Sequence, residues 1–223
     1  MTRQNKDARS YHAPRRQASA ARTRGAIIRA GKELFERRGW AGTTVAAIAD
    51  TAGVSQKTVE AAFGTKAAVL EATVDYAIRG DIEPLPMLQR DSVKRMDEAP
   101  DAATMLRLHA AHLRAINPRS ARIAWTVEHG ATSDPAVAKL WQQMNHNRAF
   151  AVQNTTNRLF RKQGRKPHLR RNQVEAAFWV ALDWGTYRTL TQYAGLDDDE
   201  YEAWLNRYYQ DAFLPDRARP GTG

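Results

Sequence analysis

The sequence contains no cysteine. This absence excludes disulfide bonds, thiolate metal ligands and cysteine nucleophiles, and it suits a protein that works in a reducing cytoplasm. No apolar run approaches the roughly 20 residues that a helix needs to cross a bilayer, and the basic N-terminus lacks the apolar stretch of a secretory signal. We therefore expect a cytoplasmic protein that has no membrane partner.

Acidic residues are scarce at the N-terminal end of the chain, where the charge is strongly positive. The whole chain carries a formal net charge of +10, and residues 1–66 hold 13 basic side chains against five acidic ones. A positive charge concentrated in one segment indicates a surface that binds a polyanion such as nucleic acid. On charge alone, a solvated surface with some excess arginine remains an alternative.

Apolar residues recur at helical spacing along most of the chain, and no segment has a convincing strand pattern. Together with the glycine, proline and capping residues, this periodicity predicts an all-α protein. The predicted helices cover residues 23–38, 45–51, 56–62, 65–80, 87–97, 102–116, 119–131, 135–163, 172–193 and 198–212. We expect Asn117-Pro118 to end the helix that starts near 102, and we expect 172–193 to form one helix that is apolar nearly all round.

One segment, from Thr44 to Val59, has the pattern of a helix-turn-helix: TVAAIADTAGVSQKTV. A small residue, Ala49, stands where two short helices must cross, and Gly53 supplies the positive φ angle that the turn requires. The second helix then presents polar side chains that can bind base edges and phosphates in a major groove. The alternative is a helical hairpin that has no role in DNA binding.

With its flanking segments, this motif resembles the DNA-binding domain of the TetR family of bacterial repressors. Three stretches carry the resemblance: IRAGKELFERRGW at 28–40, TTVAAIADTAGVS at 43–55 and TVEAAFGTK at 58–66. The resemblance implies a homodimer, an interface built from the last two helices, and a small-molecule pocket in the C-terminal domain. The residues expected to contact double-stranded operator DNA are Thr44, Ser55, Gln56, Lys57, Thr58, Glu60 and Lys66.

Two positions depart from that family pattern. Glu60 stands where the family often has an aromatic residue that contacts the DNA backbone, and Ala62 stands where histidine or tyrosine is common. A carboxylate near phosphates should lower the affinity for DNA, unless it accepts a hydrogen bond from a cytosine amine. The basic segment at residues 1–21 is expected to compensate, because such arms can enter the minor groove.

The C-terminal part contains candidate residues for a ligand pocket. Arg148 and Asp183 each place a charge on an otherwise apolar helical face, which is costly unless the charge is paired. They are expected to form a buried salt bridge, to face solvent, or to line a pocket that has aromatic walls. The candidate ligand-binding residues are Trp125, Trp141, Met144, Arg148, Asp183, Trp184 and Tyr187, with plain core as the alternative for the aromatic ones.

Other polar residues of the C-terminal part have simpler interpretations. His109 and His112 share one apolar stripe at i and i+3, but no third ligand lies nearby in the sequence. Hydrogen-bonded core or pocket histidines are therefore favoured over a metal site. The basic run between Arg158 and Arg171 is interpreted as a solvated helix end that the helix dipole stabilises. No metal and no cofactor are expected.

The predicted organisation has three parts. A flexible basic arm at residues 1–21 precedes a helix-turn-helix domain at 22–80, which is joined to a C-terminal regulatory and dimerisation domain at 81–214. The predicted function is a ligand-responsive transcriptional repressor that binds a near-palindromic operator as a homodimer and is released by a small molecule. The alternatives are an architectural DNA-binding protein without a ligand and an all-α enzyme with a basic end, although no phosphate-binding loop or nucleophile elbow supports an enzyme.

Overall fold

A computed structural model describes the backbone of residues 4–216 and the side chains of residues 17–216. This part of the chain contains helices and no strand, as the periodicity predicts. The helices are α1 (Gln4–Arg38), α2 (Val45–Ala52), α3 (Gln56–Phe63), α4 (Lys66–Arg79), α5 (Asp91–Glu98), α6 (Ala102–Gly130), α7 (Pro135–Arg161), α8 (Arg171–Ala181), α9 (Trp184–Arg188) and α10 (Asp198–Phe213). A 3₁₀ turn at Met87–Gln89 precedes α5, and a π-helical turn at Thr189–Tyr193 follows α9. Within the described residues, no helix has the length and apolar character that crossing a membrane requires.

The first four helices pack around one apolar core. Helix α1 lies against α2 and α4, and the side chains of Ile27, Leu34 and Phe35 are fully buried there. Gly31 permits the close approach of α1 to α4, because a Cβ atom at that position would lie only 3.0 Å from a methyl carbon of Val69. This tight contact fixes the position of α4 relative to α1.

Hydroxyl side chains determine where the three short helices begin. Each accepts a hydrogen bond at 3.1 Å from the backbone N–H three residues ahead: Thr44 for α2, Ser55 for α3 and Thr65 for α4. Gly53, with a φ angle of 67°, follows the end of α2 and makes the turn toward α3. The helix-turn-helix predicted from the sequence is therefore present, with the expected caps and turn.

The first helix is longer than the sequence indicates. It begins at Gln4, so the irregular arm predicted for residues 1–21 is corrected to helix over residues 4–21. Residues 17–22 are all exposed, and a helix that is exposed on every side leaves no apolar periodicity in the sequence. Ala18, Ala20 and Ala21 favour helix for a different reason, which is their high intrinsic helix propensity.

Helix α6 continues through a proline that was expected to end it. It is one helix from Ala102 to Gly130, with Pro118 inside. Pro118 is exposed, whereas Asn117 is buried and donates from Nδ2 to the Tyr201 hydroxyl at 2.8 Å. Contacts with α4 and α10 hold α6 in place, and they outweigh the backbone hydrogen bond that the proline ring removes.

The stretch predicted as one helix at 172–193 is broken in the structure. Helix α8 ends at Ala181, and the Asp183 carboxylate caps α9 by accepting from the backbone N–H of Thr186 at 2.8 Å. The same carboxylate accepts from Nη1 of Arg148 on α7 at 2.5 Å. An aspartate side chain competes with the backbone for such N–H groups, so the charge that interrupts the apolar run marks a helix start.

Two apolar clusters share helices α6 and α7. The N-terminal cluster, built around Phe35 and Leu70, extends to Ile123 and Val127 of α6 and to Val137 of α7. The C-terminal cluster is centred on aromatic residues of α8 and α10, namely Phe178, Tyr201, Tyr209 and Phe213. The core of the helix-turn-helix part is thus completed by the helices that also form the C-terminal part.

Candidate DNA-binding surface and ligand cavity

Helix α3 presents an exposed polar face next to the turn of the helix-turn-helix. Val59 anchors the helix, because its side chain is fully buried against the N-terminal core. Gln56, Lys57 and Glu60 are exposed. The exposed side of α3 therefore offers amide and ammonium donors together with one carboxylate, which is the chemistry that base edges and phosphates can bind.

The hydroxyl groups predicted to contact DNA are also caps. Ser55 Oγ accepts from the backbone N–H of Thr58 and shares a second hydrogen bond with the Thr58 hydroxyl at 2.8 Å. Thr44 and Ser55 are exposed, and each stands at a helix N-terminus, where free backbone N–H groups favour a phosphate. Their exposure is compatible with the predicted contacts, which stay predictions.

Lys66 points toward the loop between α1 and α2. Its Nζ donates to the carbonyl oxygens of Trp40 and Thr43, both at 2.9 Å, and lies 3.8 Å from the centroid of the Trp40 ring. Burial lowers the pKa of Lys66, while the charge of Asp134 acts in the opposite direction. Lys66 thus stabilises the loop with two of its three ammonium N–H donors. The third N–H is the one that could make the predicted contact with a phosphate.

A second candidate site is a cavity of about 470 Å³. Residues of α4, α6, α7, the segment 86–96 and the α8–α9 junction line it. Much of the wall is apolar and includes Val74, Ile78, Met96, Leu113 and Leu140. Small-molecule sites typically have volumes of about 300–1,000 Å³, so the interior of the C-terminal part has room for a ligand.

Three of the seven candidate ligand residues line the cavity: Met144, Arg148 and Trp184. Arg148 donates to Asp183 from Nη1 and to Asn145 Oδ1 from Nη2 at 3.1 Å. Its guanidinium carbon lies 4.8 Å from the Trp179 ring centroid. The salt bridge considered for Arg148 and Asp183 is therefore present, although it is only partly buried, because the Asp183 side chain is 37% exposed. It neutralises a charge in the cavity wall.

The other four candidates lie outside the cavity wall. Trp125 is exposed, with the Arg188 guanidinium 3.5 Å from its ring centroid, and Trp141 packs against the N-terminal core. Asp183 does not line the cavity. Its carboxylate accepts hydrogen bonds from Arg148 and from the backbone N–H of Thr186, where it caps α9. Tyr187 is buried, and its hydroxyl donates to Asp198 Oδ1 at 2.8 Å.

Arg158 also lines the cavity, although the sequence interpretation placed it on a solvated helix end. That interpretation is wrong, because Arg158 is only 8% exposed. Its Nε and Nη2 donate to the two carboxylate oxygens of Asp97 on α5, at 2.8 and 3.2 Å. One signal could have identified it: Arg158 follows Met144, Arg148 and Thr155 at helical spacing along one face of α7.

His109 and His112 lie in the cavity wall as well. Burial, with a smaller contribution from the positive charge of Arg158, lowers the pKa of His109 to about 3 and that of His112 to about 4. Both imidazoles are therefore neutral near pH 7. Across the described residues, no group of three or more His, Cys, Asp or Glu side chains could hold a metal ion.

A family model for bacterial regulatory proteins of the tetR family matches residues 27–73. The match begins in α1 and ends in α4, so it contains the whole helix-turn-helix and part of both flanking helices. Among curated proteins, none matches this sequence.

Solved structures of such regulators share the fold over most of the chain. NalD of Pseudomonas aeruginosa, the secondary repressor of the MexAB-OprM multidrug efflux pump, is 19% identical with a TM-score of 0.66, over 90% of this chain and 100% of NalD. A TetR family regulator from Marinobacter aquaeolei is 21% identical with a TM-score of 0.61, over 91% and 100% of the two chains. A putative transcriptional regulator from Saccharomonospora viridis, solved with choline, is 17% identical with a TM-score of 0.63, over 86% and 98%.

Proposed function

Because this chain belongs to the TetR family of bacterial regulatory proteins, we propose that it is a transcriptional repressor that a small molecule releases from its operator. Helix α3 is the proposed recognition helix, with Gln56, Lys57 and Thr58 toward the major groove. The cavity is the proposed effector site. The setting is the bacterial cytoplasm.

Helix α4 is the observation that carries this proposal, because it belongs to both candidate sites. Leu70 and Val74 lie in the apolar core that supports α3, while Val74 and Ile78 line the cavity. From α6, Arg119 donates to the carbonyl oxygens of Ala77 and Ile78, both at 3.0 Å. A ligand that prefers another position of α4 would therefore also change the position of α3.

A second copy of the chain is the proposed partner of α8 and α10. The C-terminal end of α8 and the π-helical turn after α9 expose Trp179, Val180 and Tyr193, which are 36%, 45% and 79% accessible in the single chain. A two-fold dimer through this face would present two α3 helices to successive major grooves of a near-palindromic operator.

The alternative is an architectural DNA-binding protein that has no ligand. A cavity of this size argues against it, because protein interiors are close-packed and an unfilled space weakens the fold. A purely architectural C-terminal part would gain stability by filling it.

Selection of bound duplexes from a random DNA library tests the proposal. It should enrich two half-sites with centres about 10–10.5 base pairs, or a multiple of that, apart. A compound that changes the fluorescence of Trp184 should release the selected duplex. Ala151→Phe, which fills the cavity, should keep DNA binding and lose the response, whereas Ala111→Phe on the exposed side of α6 should keep both. Equal binding to all duplexes would favour the architectural alternative.

A further inference from the structure

Three arginines line the cavity, and the two on α7 lie far apart and differ in their surroundings. The third, Arg79, is on α4, where it pairs with Asp75 at 3.1 Å, and α4 also places the carboxylate of Glu71 in the wall. Arg148 and Arg158 are ten residues apart on α7, which corresponds to about 15 Å along a helix. Arg148 forms a salt bridge with Asp183, and no other basic residue shares that carboxylate in the described part of the chain. Arg158 shares Asp97 with Arg161, whose Nη2 lies 3.4 Å from the same carboxylate oxygen. One carboxylate thus faces two guanidinium groups, which leaves an excess of positive charge at the Arg158 end.

Arg158 has a donor left for a ligand at that end. Its Nε and Nη2 are used by Asp97, and Nη1 has no hydrogen-bond partner among the described residues. An arginine that is held on one edge by a carboxylate can bind a second acceptor through the remaining amino group. The salt bridge with Asp97 therefore fixes the orientation of the Arg158 guanidinium and leaves Nη1 available to donate to a ligand.

The hydrogen bond between His109 and Tyr209 determines which ring nitrogen of His109 carries the proton. In the described part of the chain, the buried Tyr209 hydroxyl has one partner, Nδ1 of His109, at 2.7 Å. If Nδ1 donated, the hydroxyl proton would be buried without an acceptor, which is rare in proteins. Tyr209 therefore donates to Nδ1, and His109 carries its own proton on Nε2. His109 lines the cavity and the charge of Arg158 acts on its imidazole, so this Nε2–H is the second donor of the inferred site.

We infer that the effector is an amphipathic carboxylate, whose carboxylate binds Nη1 of Arg158 and Nε2–H of His109 while its apolar body lies against Leu113, Met144 and Trp184. The inference rests on the proposed function, because it names the chemical class of that effector. Charge-assisted hydrogen bonds are about twice as strong as neutral ones. The apolar wall supplies the remaining affinity. Beside Arg158, a cation of similar size would meet the excess positive charge, since the carboxylates that line the cavity, Glu71 and Asp75, belong to α4.

Three probes that share one apolar chain test the charge preference: decanoate, decanamide and decyltrimethylammonium. Binding is measured by calorimetry and by tryptophan fluorescence with the full-length protein, below the micelle concentration of each probe. Decanoate should bind at least about tenfold more tightly than decanamide, and decyltrimethylammonium should bind most weakly.

Variants around Asp97 identify the group that carries this preference. Arg158→Gln should remove the advantage of decanoate over decanamide. Arg161→Gln, which removes the exposed arginine from the same carboxylate, should keep most of it. Asp97→Asn keeps an oxygen that can accept from Nε of Arg158 and removes the negative charge that partly neutralises the guanidinium, so it should strengthen decanoate binding. This opposite effect keeps the test decisive even if Arg158→Gln folds poorly, as judged by circular dichroism and thermal melting.

Equal binding of decanoate and decanamide, tighter binding of decyltrimethylammonium, or no binding of decanoate would each overturn the carboxylate assignment. A preference that survives in Arg158→Gln would overturn it as well. The proposed function would stand in those cases if another compound released the selected duplex. If decanoate binds with the expected selectivity and does not release the duplex, the proposed function fails and the carboxylate assignment holds.

Discussion

At the scale of single residues, the sign of each charge on the exposed side of α3 should decide its effect on DNA binding if α3 is the recognition helix. Lys57 can donate to guanine or to a phosphate. Lys57→Ala should therefore weaken binding to the selected duplex by about 1–3 kcal/mol if the ammonium contacts a base. Fluorescence anisotropy with selected and scrambled duplexes measures this loss, and a phosphate contact would weaken both duplexes alike.

Glu60 is expected to act in the opposite direction. In the proposed complex its carboxylate would lie near the DNA phosphates, so Glu60→Gln should leave binding unchanged or strengthen it, most visibly at low salt, where screening is weakest. Glu98→Gln, the same change at an exposed position of α5, is the control. A loss of affinity for the selected duplex alone would mean that Glu60 accepts from a cytosine amine. If neither Lys57→Ala nor Glu60→Gln changed binding to any duplex, α3 would not be the recognition helix.

The two buried histidines should link stability to pH. Their pKa values of about 3 and about 4 in the folded protein lie below the ordinary value of 6.5. Between the folded-state pKa values and pH 6.5, the unfolded chain binds more protons than the folded protein does. The free energy of unfolding that these histidines contribute is therefore fully present above pH 6.5 and decreases as the pH falls toward 4. Urea denaturation at several pH values measures the slope. His112→Gln should flatten it and His146→Gln, at an exposed position of α7, should not; parallel profiles in all three proteins would contradict this account.

At the scale of helices, the break between α8 and α9 depends on the ion pair between Arg148 and Asp183. Asp183→Asn keeps a capping side chain and removes the ion pair, whose arginine is largely buried. Asp101→Asn is the matched control, because Asp101 caps α6 in the same way and has no ion pair in the described part of the chain. Asp183→Asn should lower the free energy of unfolding by about 1–3 kcal/mol more than Asp101→Asn. Equal losses would mean that Arg148 contributes nothing to this junction.

Helix ends that depend on neighbouring residues could be predicted from the sequence. Thr44, Ser55 and Asp134 cap helices where the pattern places them, because a cap is formed within three residues. The continuation of α6 through Pro118 and the break at Asp183 could not be predicted in this way. They depend on Tyr201 and Arg148, which come from distant parts of the chain.

The candidate cavity could be predicted in part, for the same reason. Helical spacing on α7 identified Met144 and Arg148, and both line the cavity. Arg158 was missed because it stands beside Arg161 and Lys162, and such a run indicates a solvated surface. Its burial depends on Asp97, which lies 61 residues away on α5. Sequence periodicity shows which face of a helix is apolar, but it does not show which helix covers that face.

At the scale of the whole molecule, the exposed apolar face of α8 should hold two copies together. Val180→Asp places a charge in the proposed dimer interface and should convert the dimer to a monomer at micromolar concentration, as measured by sedimentation velocity. Ile82→Asp, at a similarly exposed position in the loop after α4, should leave the dimer intact. A wild-type protein that sediments as a monomer would contradict the proposed interface.

The central claim is that the cavity and the DNA-binding surface share α4 and are therefore energetically coupled. Coupling is reciprocal, so a ligand and the operator must weaken each other by the same factor, typically about 5- to 150-fold. The direct measurement is the dissociation constant of the tightest-binding decyl probe, with and without a saturating amount of the selected duplex. The account predicts weaker probe binding in the presence of the duplex, by the same factor by which the probe weakens duplex binding. A probe affinity that is identical with and without DNA would contradict it.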